Sequence, residues 1–323
     1  MIRWGIIGPG TIANYFAKEV NDTKDGIIYA VYGRNKEKTK EFSNKYKIEK
    51  YYVNIDEFLN DNSIDAVYIA TPHNSHMYYS KKCILAKKHV LCEKPFSYNH
   101  ETGKEIIELA KDNNIFIMEA LWTLFLPAVN KVKEWVQEGK IGKVKLIEAN
   151  FGIKSEYNIN NRLYNPNLAG GALLDLGIYP ILFSNYIANS FLKEIKASSQ
   201  FTKSNVDESN IINLKYQNGI LSSLKCSLSV KFDNTAVIYG ENGKIVIPRF
   251  WAAKEAYLYT EDTNEKYIDE YEKPGYKYEI EEANNCLINN DLESNIASHN
   301  VTLELAEIMD EVRRQIKLVY PFE

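Results

Sequence analysis

The sequence predicts an α/β chain in two parts: a doubly wound parallel sheet, then an α/β domain whose sheet is mainly antiparallel. Three observations predict it. Short apolar segments alternate with helical stretches through the first third, as right-handed βαβ units do. The first of those segments breaks at Gly8-Pro9-Gly10 and turns at once into a helix. After about residue 120 the texture changes to longer strands of period-two character.

Residues 4–7 read as a buried strand, 12–20 as a helix with apolar spacing, and 26–32 as a strand rich in β-branched and aromatic residues. A helix with a charged face follows over 36–46. An apolar strand over 64–70 ends at Thr71-Pro72, before a helix over 75–86. The strand over 89–92 ends at Glu93-Lys94-Pro95, and a helix over 100–113 precedes another buried strand over 115–118. Beyond a helix over 127–137, ended by Gly139, the strands are expected at 144–154, 194–202, 211–217, 220–230, 235–239 and 244–248. Asn218-Gly219 and Glu241-Asn242-Gly243 are hairpin signals among them. An amphipathic helix over 301–316 closes the chain. The domain switch falls near residues 118–121, so the parts are drawn as 1–119 and 120–323. Residues 151–167 and 252–278 carry no readable pattern.

Composition narrows the partners. The 323 residues suggest about two domains. At 45% hydrophobic and 25% charged the chain is ordinary for a globular protein, and its net charge of −4 argues against capture of nucleic acid or an anionic membrane. Its 4 cysteines form no C-x-x-C pair and its 5 histidines stand at no ligand spacing from them, so free thiols in a reducing compartment and no metal site are expected. No apolar run reads as a membrane span, and the first residues lack a leader's charged and apolar regions. The expected location is the cytoplasm.

The chemistry gathers at strand ends. Open parallel sheets bind ligands beyond the carboxyl ends of their strands. Gly8-Pro9-Gly10, Gly33-Arg34-Asn35, Thr71-Pro72-His73-Asn74-Ser75-His76, Glu93-Lys94-Pro95 and Glu119-Ala120-Leu121-Trp122 all fall there. Each could be structural alone; five on successive strands are expected to share one crest. A strand turning into a helix N-terminus through glycines suits a pyrophosphate, with Gly8 for the turn and Gly10 for close approach. Ala13 stands at the usual third glycine. After the second strand, where NAD sites commonly carry an acid, this chain has Arg34, with Asn35, Lys36 and Lys38 following. A guanidinium suits a 2′-phosphate, so NADP is favoured and NAD stays open.

Lys94 sits between an acid and a proline at a strand end, an odd place for a surface lysine and a good one for an acid/base group; a salt-bridging lysine is the bland alternative. In the second part, Gly170-Gly171 precede a helix start that carries Asp175 and Tyr179, four apart and so on one face. A phenol becomes a useful base only with a cation such as Lys94 beside it. Asp175 would hold the phenol or the lysine.

With these residues the chain resembles the glucose–fructose oxidoreductase/inositol dehydrogenase (Gfo/Idh/MocA) family. The resemblance rests on Gly8-Pro9-Gly10, Ala70-Thr71-Pro72 with Asn74 and His76, Glu93-Lys94-Pro95, and Asp175 with Tyr179. Tyrosine at 179, with residues 118–123 and 174–179, looks like the dimeric dihydrodiol dehydrogenase and NADP-dependent xylose dehydrogenase branch. The resemblance implies a Rossmann domain followed by an α/β domain with a large open sheet, often the interface of a homodimer or homotetramer. It implies Lys94 and Tyr179 as the catalytic pair with Asp175 in support. It implies that Gly8, Pro9, Gly10, Thr11, Ile12, Arg34, Asn35, Lys38, Thr71, Pro72, Asn74, His76, Glu93 and Lys94 line the cofactor. Trp122, Phe151 and Arg162 would lie near the nicotinamide or the substrate. Leu124 departs from the arginine frequent in relatives, which puts a substrate contact or local packing in question.

The expected activity is hydride transfer between NADP(H) and a hydroxyl or carbonyl of a sugar, sugar derivative or cyclic diol. Two alternatives stand beside it: a non-catalytic NADP-binding regulator on the same fold, and a lyase or glycosidase that borrows the nicotinamide transiently.

Overall fold

The computed structural model describes residues 1–323, which divide into two compact units. One comprises Met1–Trp122 and Lys273–Glu304, the other Thr123–Glu272 and Leu305–Glu323.

In the first unit, β1 (Ile2–Ile7), β2 (Gly26–Tyr32), β3 (Lys50–Tyr52), β4 (Ala66–Ile69), β5 (His89–Glu93) and β6 (Ile117–Ala120) form one parallel sheet in the order β3-β2-β1-β4-β5-β6. Between them run α1 (Thr11–Glu19), α2 (Lys36–Tyr46), α3 (Ile55–Leu59), α4 (His76–Leu85) and α5 (His100–Asp112). The strands are apolar because both faces are covered; β4 and β6 are buried at every position. Parallel register aligns Tyr52, Tyr32, Ile7, Ile69, Cys92 and Glu119 in one row across all six strands. The expected crest therefore exists: Gly8, Ala70 and Glu93 stand one residue past that row, and the chain order reverses between β1 and β4.

A late segment returns to this unit. It carries α8 (Tyr276–Asn289) and the start of α9 (His299–Ile316). Side-chain bonds hold it there. Trp4 Nε1 donates to Asn284 Oδ1 at 2.9 Å. The Glu19 carboxylate accepts from the Gly275 and Lys277 amides at 3.0 and 3.1 Å, which caps α8.

The second unit opens with α6 (Pro127–Gln137), started by proline at its first turn. Its sheet has eight strands: β7 (Val144–Gly152), β8 (Leu192–Phe201), β9 (Asp207–Tyr216), β10 (Leu221–Ser227), β11 (Thr235–Gly240), β12 (Gly243–Pro248), β13 (Glu255–Thr260) and β14 (Asn264–Ile268). The order is β14-β13-β12-β11-β7-β10-β9-β8, and only β7–β10 is parallel. Both hairpin signals join antiparallel neighbours, β9–β10 and β11–β12. One sheet face is buried and the other open, so burial alternates along β9 from Asn210 to Tyr216.

A turn of π-helix over Leu173–Gly177 leads into α7 (Ile178–Ala188). The helical stretch Pro166–Ala188 has the length and apolarity of a membrane span, which the sequence reading did not register. Its apolar 18-residue window is 83% buried within the fold, as a core helix is. Leu124, at 1% exposure, is a core residue.

Candidate functional site

The β1–α1 turn has the shape its glycines require. Gly8 has φ +93°, and a Cβ there would stand 2.8 Å from the Ala70 carbonyl oxygen, so a side chain would push β1 and β4 apart at the crest. Gly10 differs: a Cβ there would meet nothing nearer than the Gly8 oxygen at 4.0 Å. It opens onto exposed space at the start of α1, where no side chain caps the helix. Thr11 and Ile12 form that first turn. Open amides, the helix dipole and room for an anion at Gly10 fit a pyrophosphate.

At the next strand end Arg34 is exposed and engages no carboxylate, which leaves its fork of donors available to a phosphate. Asn35 acts structurally: its side chain caps α2 by accepting from the Lys38 amide at 2.9 Å. Lys38 is exposed in that first turn.

The loops after β4 and β5 are tied together by His76, which is fully buried. Its Nδ1 lies 2.8 Å from the Pro95 carbonyl oxygen and its Nε2 2.8 Å from that of Thr71. Burial lowers its pKa below the usual histidine value, while the two carbonyls favour the protonated ring. Thr71 and Pro72 are half-buried at the turn, where Ser75 Oγ donates to the Pro72 oxygen at 2.7 Å; Asn74 is exposed.

Lys94 follows directly. Its amide donates to Glu93 Oε2 at 3.2 Å, and the Tyr68 hydroxyl donates to Glu93 Oε1. Glu119, 3% exposed on β6, accepts the Phe96 amide at 2.7 Å through Oε1, while its Oε2 is buried without a partner. Burial pushes its carboxyl up to about 7, against the opposing pull of the Phe96 amide, the Thr302 side chain and Lys94. The Lys94–Phe96 segment is thus held by His76 on one side and Glu119 on the other. Trp122 stacks on Tyr276 with centroids 4.7 Å apart, and Tyr276 stacks on Tyr15 of α1 at 5.5 Å.

In the second unit the remaining candidates converge. Tyr179, half-buried on α7, meets the Phe151 ring edge-on at 5.6 Å, and Phe151 stacks on Trp251 at 3.8 Å. Asp175 is gripped by Arg162, Nη1 to Oδ1 at 2.9 Å and Nη2 to Oδ2 at 3.3 Å. The pair supplies a planar fork beside the phenol's helix. Phe151, Arg162, Asp175 and Tyr179 thus sit in one unit, and Lys94 with the phosphate turn in the other.

Sequence reasoning missed three participants. Trp251 and Tyr276 border or lie inside the stretch that read as irregular. Glu119 was seen only as part of a strand end, although an acid inside the apolar run Phe116-Ile117-Met118-Glu119-Ala120 is itself a signal.

Comparison with known proteins agrees with this architecture. A trans-1,2-dihydrobenzene-1,2-diol dehydrogenase from Danio rerio is 33% identical over 329 residues, covering 99% of this chain and 98% of that protein. An NADP(+)-dependent scyllo-inositol 2-dehydrogenase from Bacillus subtilis (strain 168) is 32% identical over 330 residues, covering 99% of each. A 3-ketoreductase from Actinomadura kijaniata, solved with NADP and TDP-benzene, superposes with a TM-score of 0.89 at 22% identity over 98% of both chains, a likeness of fold. Residues 2–120 match the NAD-binding Rossmann domain of an oxidoreductase family and residues 129–246 match that family's C-terminal domain. The chain is a member of the Gfo/Idh/MocA family of oxidoreductases.

Proposed function

We propose that the protein is an NADP-dependent dehydrogenase/reductase that interconverts a secondary hydroxyl and a carbonyl on a sugar, sugar derivative or cyclic diol. The observation that carries this reading is the crest of the first unit. An uncapped helix N-terminus with an open glycine, an available guanidinium and Lys94 follow the ends of β1, β2 and β5 in one parallel sheet. The sugar and diol class is taken from the dihydrodiol and inositol dehydrogenases that the chain resembles.

Gly10, Thr11 and Ile12 would hold the pyrophosphate and Arg34 the 2′-phosphate, with Trp122 and Arg162 nearer the reacting end. When bound, the nicotinamide accepts or donates the hydride. The protein moves the proton. In oxidation the substrate hydroxyl gives its proton to the Tyr179 oxygen while its carbon gives up hydride; in reduction both return. Lys94 is proposed as the second member of this proton-transfer pair. Asp175 holds Arg162 at the rim, and the Phe151–Trp251 stack supplies an apolar wall for the CH face of a ring.

The test is a panel of aldopyranoses, inositols and cyclic trans-diols, followed by NADPH absorbance. Wild-type turnover is expected. Lys94→Met and Tyr179→Phe should each lower kcat about 100-fold or more, with NADPH affinity spared in Tyr179→Phe. NADPH binding without turnover across the panel would make the chain a cofactor-binding regulator. Product without net absorbance change would mean that the nicotinamide is only borrowed.

The open sheet face is the subunit interface of a homodimer or homotetramer. Leu146, Leu221, Val237, Tyr239, Val246 and Tyr257 stand on it in adjoining cross-strand rows. Light scattering on the eluting protein measures the assembly. Four free, buried thiols support a cytoplasmic location.

A further inference from the structure

The helix that carries Asp175 and Tyr179 starts at a glycine pair, and its first turn is a π-turn, a geometry often found at functional sites. Such a start leaves backbone amides to be satisfied from outside. The residue that does so lies 34 positions away. Asp207, the first residue of β9 and fully buried, accepts the Leu173 amide through Oδ2 at 2.6 Å. The same oxygen accepts Asn210 Nδ2 at 2.6 Å, and that nitrogen also lies 3.3 Å from Cys226 Sγ on β10. Oδ1 is buried with no partner. It presses on Gly171, where φ is +126° and a Cβ would come within 2.0 Å of it. The turn is also held elsewhere: the Gly171 amide donates to the Leu163 oxygen at 2.9 Å, and the Tyr320 hydroxyl donates to the Gly170 oxygen at 2.9 Å.

We propose that Asp207 is a positioning residue for the proton-transfer phenol: its carboxyl oxygen fixes the first amide of the π-turn that carries Asp175 and leads into α7, from which Tyr179 projects. This rests on the assignment of Tyr179 as the proton-transfer group. A carboxyl is an expensive side chain to bury for stability alone. An apolar residue would fill the space beneath Gly171 but could not orient the turn. Burial pushes Asp207 up to about 6, with the bonds from Asn210 and Leu173 and the charge of Arg313 opposing; Cys226 and Tyr320 also face it. The oxygen serves Leu173 in both protonation states, and more strongly when ionised.

Asp207→Asn keeps an acceptor for Leu173, and Asp207→Ala removes it. In assays below each variant's melting temperature, Asp207→Ala should lower kcat about tenfold or more while NADPH affinity stays within about twofold. Asp207→Asn should recover most of kcat, because its amide oxygen can still accept from Leu173. Tyrosine ring-carbon NMR of the unliganded protein should show the Tyr179 signal displaced in Asp207→Ala and near wild type in Asp207→Asn. Wild-type kcat in folded Asp207→Ala, or an unmoved Tyr179 signal, would overturn the proposal. If Asp207→Ala does not fold, Asp207→Leu, which fills the space without an acceptor for Leu173, is read in the same two assays, and wild-type kcat with an unmoved Tyr179 signal there overturns it. A wild-type protein with no turnover would sink the dehydrogenase reading, and the NMR comparison would still decide whether Asp207 places the ring.

Discussion

Replacing Glu119 with glutamine should change the pH dependence of stability by an amount the structure sets. Glu119 is buried on β6 with one oxygen bonded to the Phe96 amide and the other unmatched. Its carboxyl is raised from 4.5 to about 7 by burial. The folded state therefore holds this proton more tightly than the unfolded chain does. The stability that follows is fully present below pH 4.5 and is lost as pH rises through 7. At about 1.4 kcal/mol per pH unit, the loss amounts to about 3 kcal/mol. Glutamine keeps an oxygen for Phe96 and cannot ionise. The stability of wild type relative to Glu119→Gln should thus fall by about 2–3 kcal/mol between about pH 5 and about pH 8. Urea unfolding of both proteins at several pH values measures it. Differencing cancels other titrating groups, Asp207 among them. A gap constant to within about 0.5 kcal/mol would refute the reasoning.

Two further predictions concern the cofactor. Gly10→Val should melt close to wild type, within about 1 kcal/mol, because a Cβ there meets nothing nearer than the Gly8 oxygen at 4.0 Å. It should nevertheless weaken NADPH binding at least about tenfold by filling the anion's place; an unchanged titration calorimetry isotherm would exclude the turn as the phosphate site. Arg34→Ala should cost NADPH about 1.5–3 kcal/mol of affinity and leave NADH almost untouched, and equal losses for both would remove Arg34 from the 2′-phosphate.

The legible parts of the fold were those where burial follows sequence period. The helix over residues 36–46 and the strand over 26–32 have the bounds expected of them. β3 was missed: it is three residues long, with Lys50 and Tyr51 exposed. β13 was hidden because Ala256 and Leu258 are its only buried positions, while the bulkier Tyr257 and Tyr259 face out. α8 was hidden for the opposite reason. Glu279 and Asn284, polar in sequence, are buried, and Asn284 is there because Trp4 needs an acceptor. The same contrast holds at the site. Gly8 and Arg34 were readable because a turn or a charge is a local property. The grip of Arg162 on Asp175 and the bond from Leu173 to Asp207 join residues 13 and 34 positions apart, and no spacing rule announces them.

The return of residues 273–304 bears on how such an enzyme can be taken apart. A protein cut after Trp122 would lose the amides that cap onto Glu19 and the amide oxygen that receives the Trp4 indole, stranding two buried polar groups. Recombining this nucleotide-binding half with another partner therefore takes three crossovers, before Thr123, before Lys273 and after Glu304. A chimaera with a single junction would inherit an unfinished half.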